Sequence, residues 1–254
     1  MSIPVMHVNA SKLAQFPTSS KGDQLKWNID NLWIKADKFG YEGLSEWVSY
    51  ELIRMSNVDK ELIVPYSICK IIDEDGTEYD GCYSKNFLQS GETLVTLDRL
   101  LTSNGYSFKN LVEGRSTEEA VFAVSEIVRS LTGLDVFHYM QDQLTFDAVV
   151  LNEDRHMNNI AFIKGREKYS LCPYFDHGLS LLSDLIDYPE NMPIDVAMRK
   201  VKARPFNTSF KKQALSKSLR FDRESVVKFV EDHHLGRINK ILKVQIRSYS
   251  DLFV

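Results

Sequence analysis

Asn152-Glu153-Asp154-Arg155-His156-Met157-Asn158-Asn159 is a polar octapeptide set between two apolar segments. Before it, residues 135–151 carry Val136, Tyr139, Met140, Leu144, Asp147 and Ala148 at helical spacing. After it come two short strand-like pieces, 160–164 and 168–172, and then Tyr174-Phe175-Asp176-His177-Gly178. Two strands folded back on each other bring the end of the octapeptide near Asp176. Asp154 and Asn159 stand at the two ends of one loop. An amide and a carboxylate meeting there, from Asn159 and Asp176, are hard oxygen ligands that suit Mg²⁺ and leave room for phosphate oxygens. Asp154, further out, is placed to accept a proton from a substrate hydroxyl.

Upstream, Leu32-Trp33-Ile34-Lys35-Ala36-Asp37 alternates, with Leu32, Ile34 and Ala36 on one face and Trp33, Lys35 and Asp37 on the other. Lys35 on that second face can neutralise phosphate charge across a cleft, held by a glutamate of the following helix, residues 42–55. The helix offers two. Leu44, Trp47, Val48, Glu51, Leu52 and Met55 fall on one stripe, which puts Glu51 on the apolar face, where a carboxylate needs a cation. Glu46 lies on the other side, near Ser49, Tyr50 and Ile53. Residues 62–72 and 77–87 read as strands joined by Asp73-Glu74-Asp75-Gly76. After about residue 91 helices dominate. Ser116-Thr117-Glu118-Glu119 fits a capping box, and helices are expected over 209–219, 222–233 and 236–252. The chain is therefore expected to be α+β, with a small β-rich lobe over 1–90, a larger helical lobe over 91–254, and a cleft between them.

Composition sets the outer bounds. The 254 residues are 43% hydrophobic and 26% charged, enough to bury a core, which excludes global disorder. A net charge of −4 gives no general affinity for nucleic acid. No run approaches the ~18 apolar residues of a membrane span. Residues 1–12 lack the pattern of a secretory signal, so a cytoplasmic setting is expected, with export by a signal-free route left open. Cys69, Cys82 and Cys172 are scattered and odd in number, so they read as reduced packing residues. One local excess stands out: residues 199–220 hold eight Lys or Arg and no Asp or Glu. That is a solvated helix face and loop, or a surface for an acidic or phosphorylated partner.

In this order and on these elements, Asp154-Arg155-His156-Met157-Asn158-Asn159, Phe175-Asp176 and the upstream Lys35 resemble the HipA-like family of bacterial serine/threonine kinases. They look most like its compact CtkA-type branch, over roughly residues 17–180. The resemblance implies a two-lobed, protein-kinase-like fold and phosphoryl transfer from ATP, with Mg²⁺, to a Ser or Thr hydroxyl of a protein. It implies that Asp154 is the catalytic base, in a catalytic loop completed by His156 and Asn159. Asn159 and Asp176 would be the magnesium ligands. Lys35 would meet the nucleotide's phosphates, with Glu46 of Ser45-Glu46-Trp47 as its ion-pair partner. His156 is expected to brace the loop rather than carry a proton.

Three departures from common protein kinases stand beside this. No Gly-x-Gly-x-x-Gly exists; Ser19, Ser20, Lys21 and Gly22, within residues 18–24, are the candidates for covering the phosphates and, in this family, for autophosphorylation. The order is Asp-Arg-His, and Asp176-His177-Gly178 stands where Asp-Phe-Gly is usual. An alternative on the same fold is a lipid headgroup or small molecule as acceptor. A metallohydrolase centre of Asp154, His156, Asp176 and His177 is a further alternative, as is a toxin kinase or non-catalytic module restrained by a small regulatory partner. Direct DNA binding is not expected.

Overall fold

The structure, a computed structural model, describes residues 3–13 and 24–254. Ser19, Ser20, Lys21 and Gly22 lie outside the described residues. The first part of the chain builds a five-stranded sheet from β1 (Val5–His7), β2 (Lys26–Ile29), β3 (Leu32–Ala36), β4 (Tyr66–Ile72) and β5 (Glu78–Lys85), in the order β1-β4-β5-β3-β2. β1 runs parallel to β4, and the remaining pairs are antiparallel. Asp30 and Asn31 close the β2–β3 hairpin with φ of 49° and 65°. Two consecutive left-handed residues match the twist of a two-residue hairpin, and Asp and Asn tolerate that region better than most. The hairpin fixes the register that pairs Lys35 with Lys26 on one side, while β5 places Cys82 on the other.

Alternation along β3 divides its side chains as expected. Ile34 and Ala36 enter a core with Val8, Trp27, Cys69 and Ile71. Lys35 emerges on the opposite face, beneath α1 (Glu42–Ile53). Carboxylates organise the start of that helix. Asp37 accepts from Gly43 N at 2.6 Å, and Glu42 accepts from Lys38 N, Phe39 N and Gly40 N at 2.6–3.1 Å. Helix donors and approach-loop amides are thus satisfied by charge-assisted bonds. The helix lies tight on the sheet: a Cβ added at Gly43 would stand 2.5 Å from the backbone carbon of Gly81.

The second part comprises β6 (Thr93–Thr96), α2 (Leu97–Ser103), α3 (Phe108–Val112), α4 (Thr117–Thr132), α5 (Phe137–Val150), β7 (Ala161–Lys164), β8 (Tyr169–Leu171), α6 (Ile194–Lys200), α7 (Phe210–Gln213), α8 (Arg223–Asp232) and α9 (Arg237–Ser248). β6, β7 and β8 form a small antiparallel sheet. The capping box at α4 is complete, with Ser116 and Glu119 each bonding the other's backbone N–H. α5 is the central helix, buried almost without a break from Tyr139 to Val150, which explains how its interior holds a carboxylate, Asp147, alongside its apolar residues. Among the described residues no helix is long and apolar enough to cross a membrane.

Two expectations need correction. The helix expected over 209–219 ends at Gln213. Beyond it Ser216 turns to α5, with its amide on Thr145 Oγ1 at 2.8 Å and its hydroxyl on Asp142; serine's local bonding displaces helix continuation. The helix expected over 236–252 stops at Ser248 and resumes only as a 3₁₀ turn at residues 250–252. The strands β1 and β6 are too short for periodicity to reveal.

Candidate active site

β3 and α1 present Lys35 and Glu46 from the sheet side, and the turn after β8 presents Asp176 from the helical side. Lys35 Nζ lies 2.6 Å from Glu46 Oε1 and 2.9 Å from Asp176 Oδ1. The choice between glutamates is thereby resolved: Glu46 pairs with the lysine, whereas Glu51 pairs with Arg54 one turn on. Apolar periodicity pointed to the wrong face because α1 buries small polar residues against backbone. Ser45 is fully buried and donates its hydroxyl to the carbonyls of His177 and Ser180. Burial works against the charged Lys35, but Asp176 and Glu46 outweigh it and raise its pKa well above the ordinary value. Burial likewise opposes the Asp176 carboxylate. Lys26, Lys35 and Arg155 together overcome it and hold that group well below the usual carboxylate range. Both partners are therefore charged at neutral pH.

Asp176 sits at φ 61°, in the left-handed region. Its neighbours are held from opposite sides. Arg155 donates to the carbonyl of Phe175 at 2.9 Å, and Glu46 Oε2 accepts from the amide of His177 at 2.9 Å. Glu46 thus fixes the lysine with one oxygen and the aspartate's backbone with the other.

Arg155 is wholly buried, and sequence reasoning missed its role. Its guanidinium grips Asp147 of α5 at 2.8 and 3.1 Å, the carbonyl of Asn159 at 2.5 Å and His177 Nε2 at 3.0 Å. One side chain therefore sets α5, the polar loop and the Asp176 turn relative to each other. The signal was Asp147, a carboxylate on the most buried helix, which demanded a cation. Burial first and Arg155 second keep His177 neutral, with its pKa well below the ordinary value. A hydrolytic metal centre using His177 is not supported, because its Nε2 faces the guanidinium inside the protein.

The polar loop delivers the other groups. Asn159 Nδ2 donates to the carbonyl of Asp154 at 3.0 Å, which assigns the amide's orientation and leaves Oδ1 with no hydrogen bond among the described residues. His156 accepts from Asn158 N through Nδ1 at 3.1 Å, the bracing role expected of it, and its Nε2 stands 3.7 Å from Asp154 Oδ2. Arg204 approaches Asp154 as well, Nη1 to Oδ1 at 4.0 Å; its position was not anticipated.

These groups line one cavity of about 560 Å³, to which Lys26, Lys35, Asp154, His156, Asn159 and Asp176 contribute the polar end. Phe87, Leu88, Leu94 and Phe175 form an apolar end, with the rings of Phe87 and Phe175 at 5.9 Å. The cavity therefore pairs an apolar lining with two lysine ammonium groups, Lys26 and Lys35, which suits a ligand that is part apolar and part anionic. The donor set suits a hard divalent cation: Asn159 Oδ1 is open, and the Asp176 carboxylate is ionised. A second acidic group, Glu153, Asp184 and Asp187, has carboxylates within 4.8 Å of one another. It is already engaged by the Tyr188 hydroxyl, by the amides of Ile186 and Asp187 and by Lys200.

No family model matches the chain, and no curated protein matches it. Solved structures do. The proinflammatory kinase CtkA of Helicobacter pylori aligns with 98% of this chain and 95% of its own, at 14% identity and a TM-score of 0.61. The fold is that of CtkA. HipA of Shewanella oneidensis MR-1, from a toxin–antitoxin complex with HipB and operator DNA, aligns with 91% of this chain and 56% of its own at 12% identity and a TM-score of 0.43. The present chain spans little more than half of that protein. The likeness to CtkA extends beyond the motif-bearing residues to the helices behind them, as a two-part α+β architecture of kinase type.

Proposed function

We propose that this chain is a HipA-like kinase that transfers the γ-phosphate of ATP, with Mg²⁺, to a Ser or Thr hydroxyl of a protein. The observation that supports this best is Lys35 held by Glu46 and Asp176 in a cavity that Asp154 and Asn159 also line. A charged lysine beside an ionised aspartate is the arrangement a polyphosphate needs on its two sides: an ammonium for its oxygens, and a carboxylate for its metal. The apolar end receives the base. Asn86, Phe87 and Leu88, from the segment between β5 and β6, line the same cavity.

Asn159 Oδ1 and Asp176 would hold the cation, which would supply charge neutralisation to the phosphates. The protein's own groups do the rest. Lys35 compensates phosphate charge, and Glu46 keeps it in place. Asp154 orients the acceptor hydroxyl and takes its proton as the new O–P bond forms and the bond to the leaving ADP oxygen breaks. Arg155 keeps Asp154, Asn159 and Asp176 in mutual register without touching the substrate.

Thermal unfolding with ATP and Mg²⁺ tests nucleotide binding. Ligand at a hundred times its Kd stabilises the folded state by about 2.7 kcal/mol, and Asp176→Ala is expected to lose that response. Labelled-ATP transfer to a protein mixture tests the chemistry. Asp154→Asn should keep the nucleotide-dependent shift and lose transfer; full transfer by that variant would refute the assignment of the base.

A further inference from the structure

The helical half carries a cationic rim that phosphoryl transfer itself does not use. Of the eight Lys and Arg in residues 199–220, some are engaged locally: Arg199 with Asp195 at 2.8 Å and Lys200 with Asp187 at 3.5 Å. Lys202, Lys211, Lys212 and Lys217 are exposed and form no ion pair among the described residues. Arg204 differs from all of these because it reaches the site, with its side chain 53% exposed and Nη1 4.0 Å from the Asp154 carboxylate.

That placement is built into the loop. Val201 and Ala203 are buried, so Lys202 and Arg204 alternate outward. Gln213 of α7 is wholly buried and spends its amide on this loop. Nε2 donates to the carbonyl of Arg204 at 2.6 Å, and Oε1 accepts from the amides of Phe206 and Asn207 at 3.1 Å each. The same glutamine ties Lys211 and Lys212, its neighbours on α7, to the loop that presents Arg204.

A guanidinium beside a catalytic base stabilises the carboxylate and competes with the hydroxyl for its oxygens. At 4.0 Å, with half its surface in water, the pair is weakly held and exchanges readily. An incoming anion that matches the guanidinium fork draws Arg204 off Asp154 and frees the base as the hydroxyl arrives. The Asp154 side chain is only 16% exposed, so the acceptor must enter the cleft, which an extended peptide does and a membrane plane does not. We infer that Arg204 is a specificity-determining residue that selects acceptor protein segments with Asp or Glu beside the phosphorylated Ser or Thr, and that Lys202, Lys211 and Lys212 hold further acidic residues of the same segment. This rests on the kinase reading above and names its substrate class.

A degenerate peptide library with a central Ser or Thr, incubated with the full chain, ATP and Mg²⁺, tests it. The wild type is expected to enrich Asp and Glu beside the acceptor. A matched acidic peptide should show a KM roughly tenfold below its Asn/Gln counterpart, and the difference should shrink with added salt. Arg204→Glu should invert the preference towards Lys and Arg, and Arg204→Lys should largely keep it. The combined Lys211→Glu, Lys212→Glu variant, remote from the base, should raise KM for the acidic peptide without lowering kcat. Transfer to peptides with no acidic preference, or an unchanged preference in Arg204→Glu, would each overturn the inference while leaving the kinase reading standing; transfer confined to anionic phosphatidylglycerol vesicles would overturn it together with the protein acceptor, leaving only ATP-dependent phosphoryl transfer. A chain that shows no thermal shift with ATP and Mg²⁺ would overturn both.

Discussion

Arg155→Ala would leave the Asp147 carboxylate buried without its cation and release the carbonyls of Asn159 and Phe175. Breaking one side of a buried pair costs about 3–5 kcal/mol, which urea denaturation would register, and the Asp176 turn would lose its alignment. Glu46→Gln should depress transfer sharply, whereas Glu51→Gln, which pairs with Arg54, should not; steady-state kinetics on the two variants separate them. Asp37 predicts a pH effect. Burial first, then the nearby charges of Glu42 and Asp80, overcome the opposing Gly43 N–H bond and push this carboxyl up to about 7. The folded chain therefore holds that proton more tightly than the unfolded chain does. The stability this group supplies is complete below a pH of about 4 and is lost as pH rises to about 7. Asp37→Asn, which keeps an acceptor for Gly43, should gain stability over wild type across that window and hold a constant advantage above it. Urea melts at intervals from pH 4.5 to 8.5 check the sign. At this scale the sequence disclosed the residues that line the cavity better than those that support them. Lys35, Asp154, Asn159 and Asp176 stand out because strand alternation and loop spacing place them. Arg155 and Arg204 do not: Arg155 meets Asp147 from a different element, and Arg204 is aimed by backbone bonds to Gln213, which no local spacing encodes.

Among the elements, α1 is the part most sensitive to spacing. Gly43→Ala would set a methyl against the backbone of Gly81 at 2.5 Å, where nothing flexible can yield. The helix must lift from β5, at a cost of roughly 1–3 kcal/mol, and it carries Glu46 with it. Loss of stability accompanied by a weaker ATP-induced thermal shift would confirm the coupling; a shift equal to wild type would refute it. Ser116→Ala removes half of the α4 capping box and should cost about 1 kcal/mol with no effect on nucleotide binding. The strands flanking Lys35, α1 and the α4 cap were legible because each has a local code: alternation, apolar period, Ser-x-x-Glu. The face of α1 was not, because Ser45 and Glu46 are buried against polar backbone, where hydrophobic spacing is uninformative. The end of α7 was hidden likewise, since Ser216 leaves the helix for partners on α5 that are distant in sequence.

For the whole molecule, the join between sheet and helices combines apolar packing, with Val48, Leu52 and Ile53 of α1 in one core with Leu144, Phe146 and Phe221, and a set of hydrogen bonds. The Tyr41 hydroxyl donates to the carbonyls of Leu181 and Leu182 at 2.8 and 2.9 Å, Ser45 reaches those of His177 and Ser180, and Tyr174 N reaches Leu62 O at 2.9 Å. Calorimetry is expected to show one unfolding transition, with the two parts coupled through this seam. Two resolved transitions would show that they melt independently. The α+β architecture was visible as a change of texture from strands to helices, but the hydrogen bonds of the seam were not, because backbone carbonyls leave no mark in a sequence.

The grip on both sides of Asp176 has a pharmacological corollary. Arg155 and Glu46 fasten the peptides on either side, and His177 is locked to the guanidinium. A small molecule that needed this turn to flip would have to break all three holds, so compounds selected against this cavity should engage its open front.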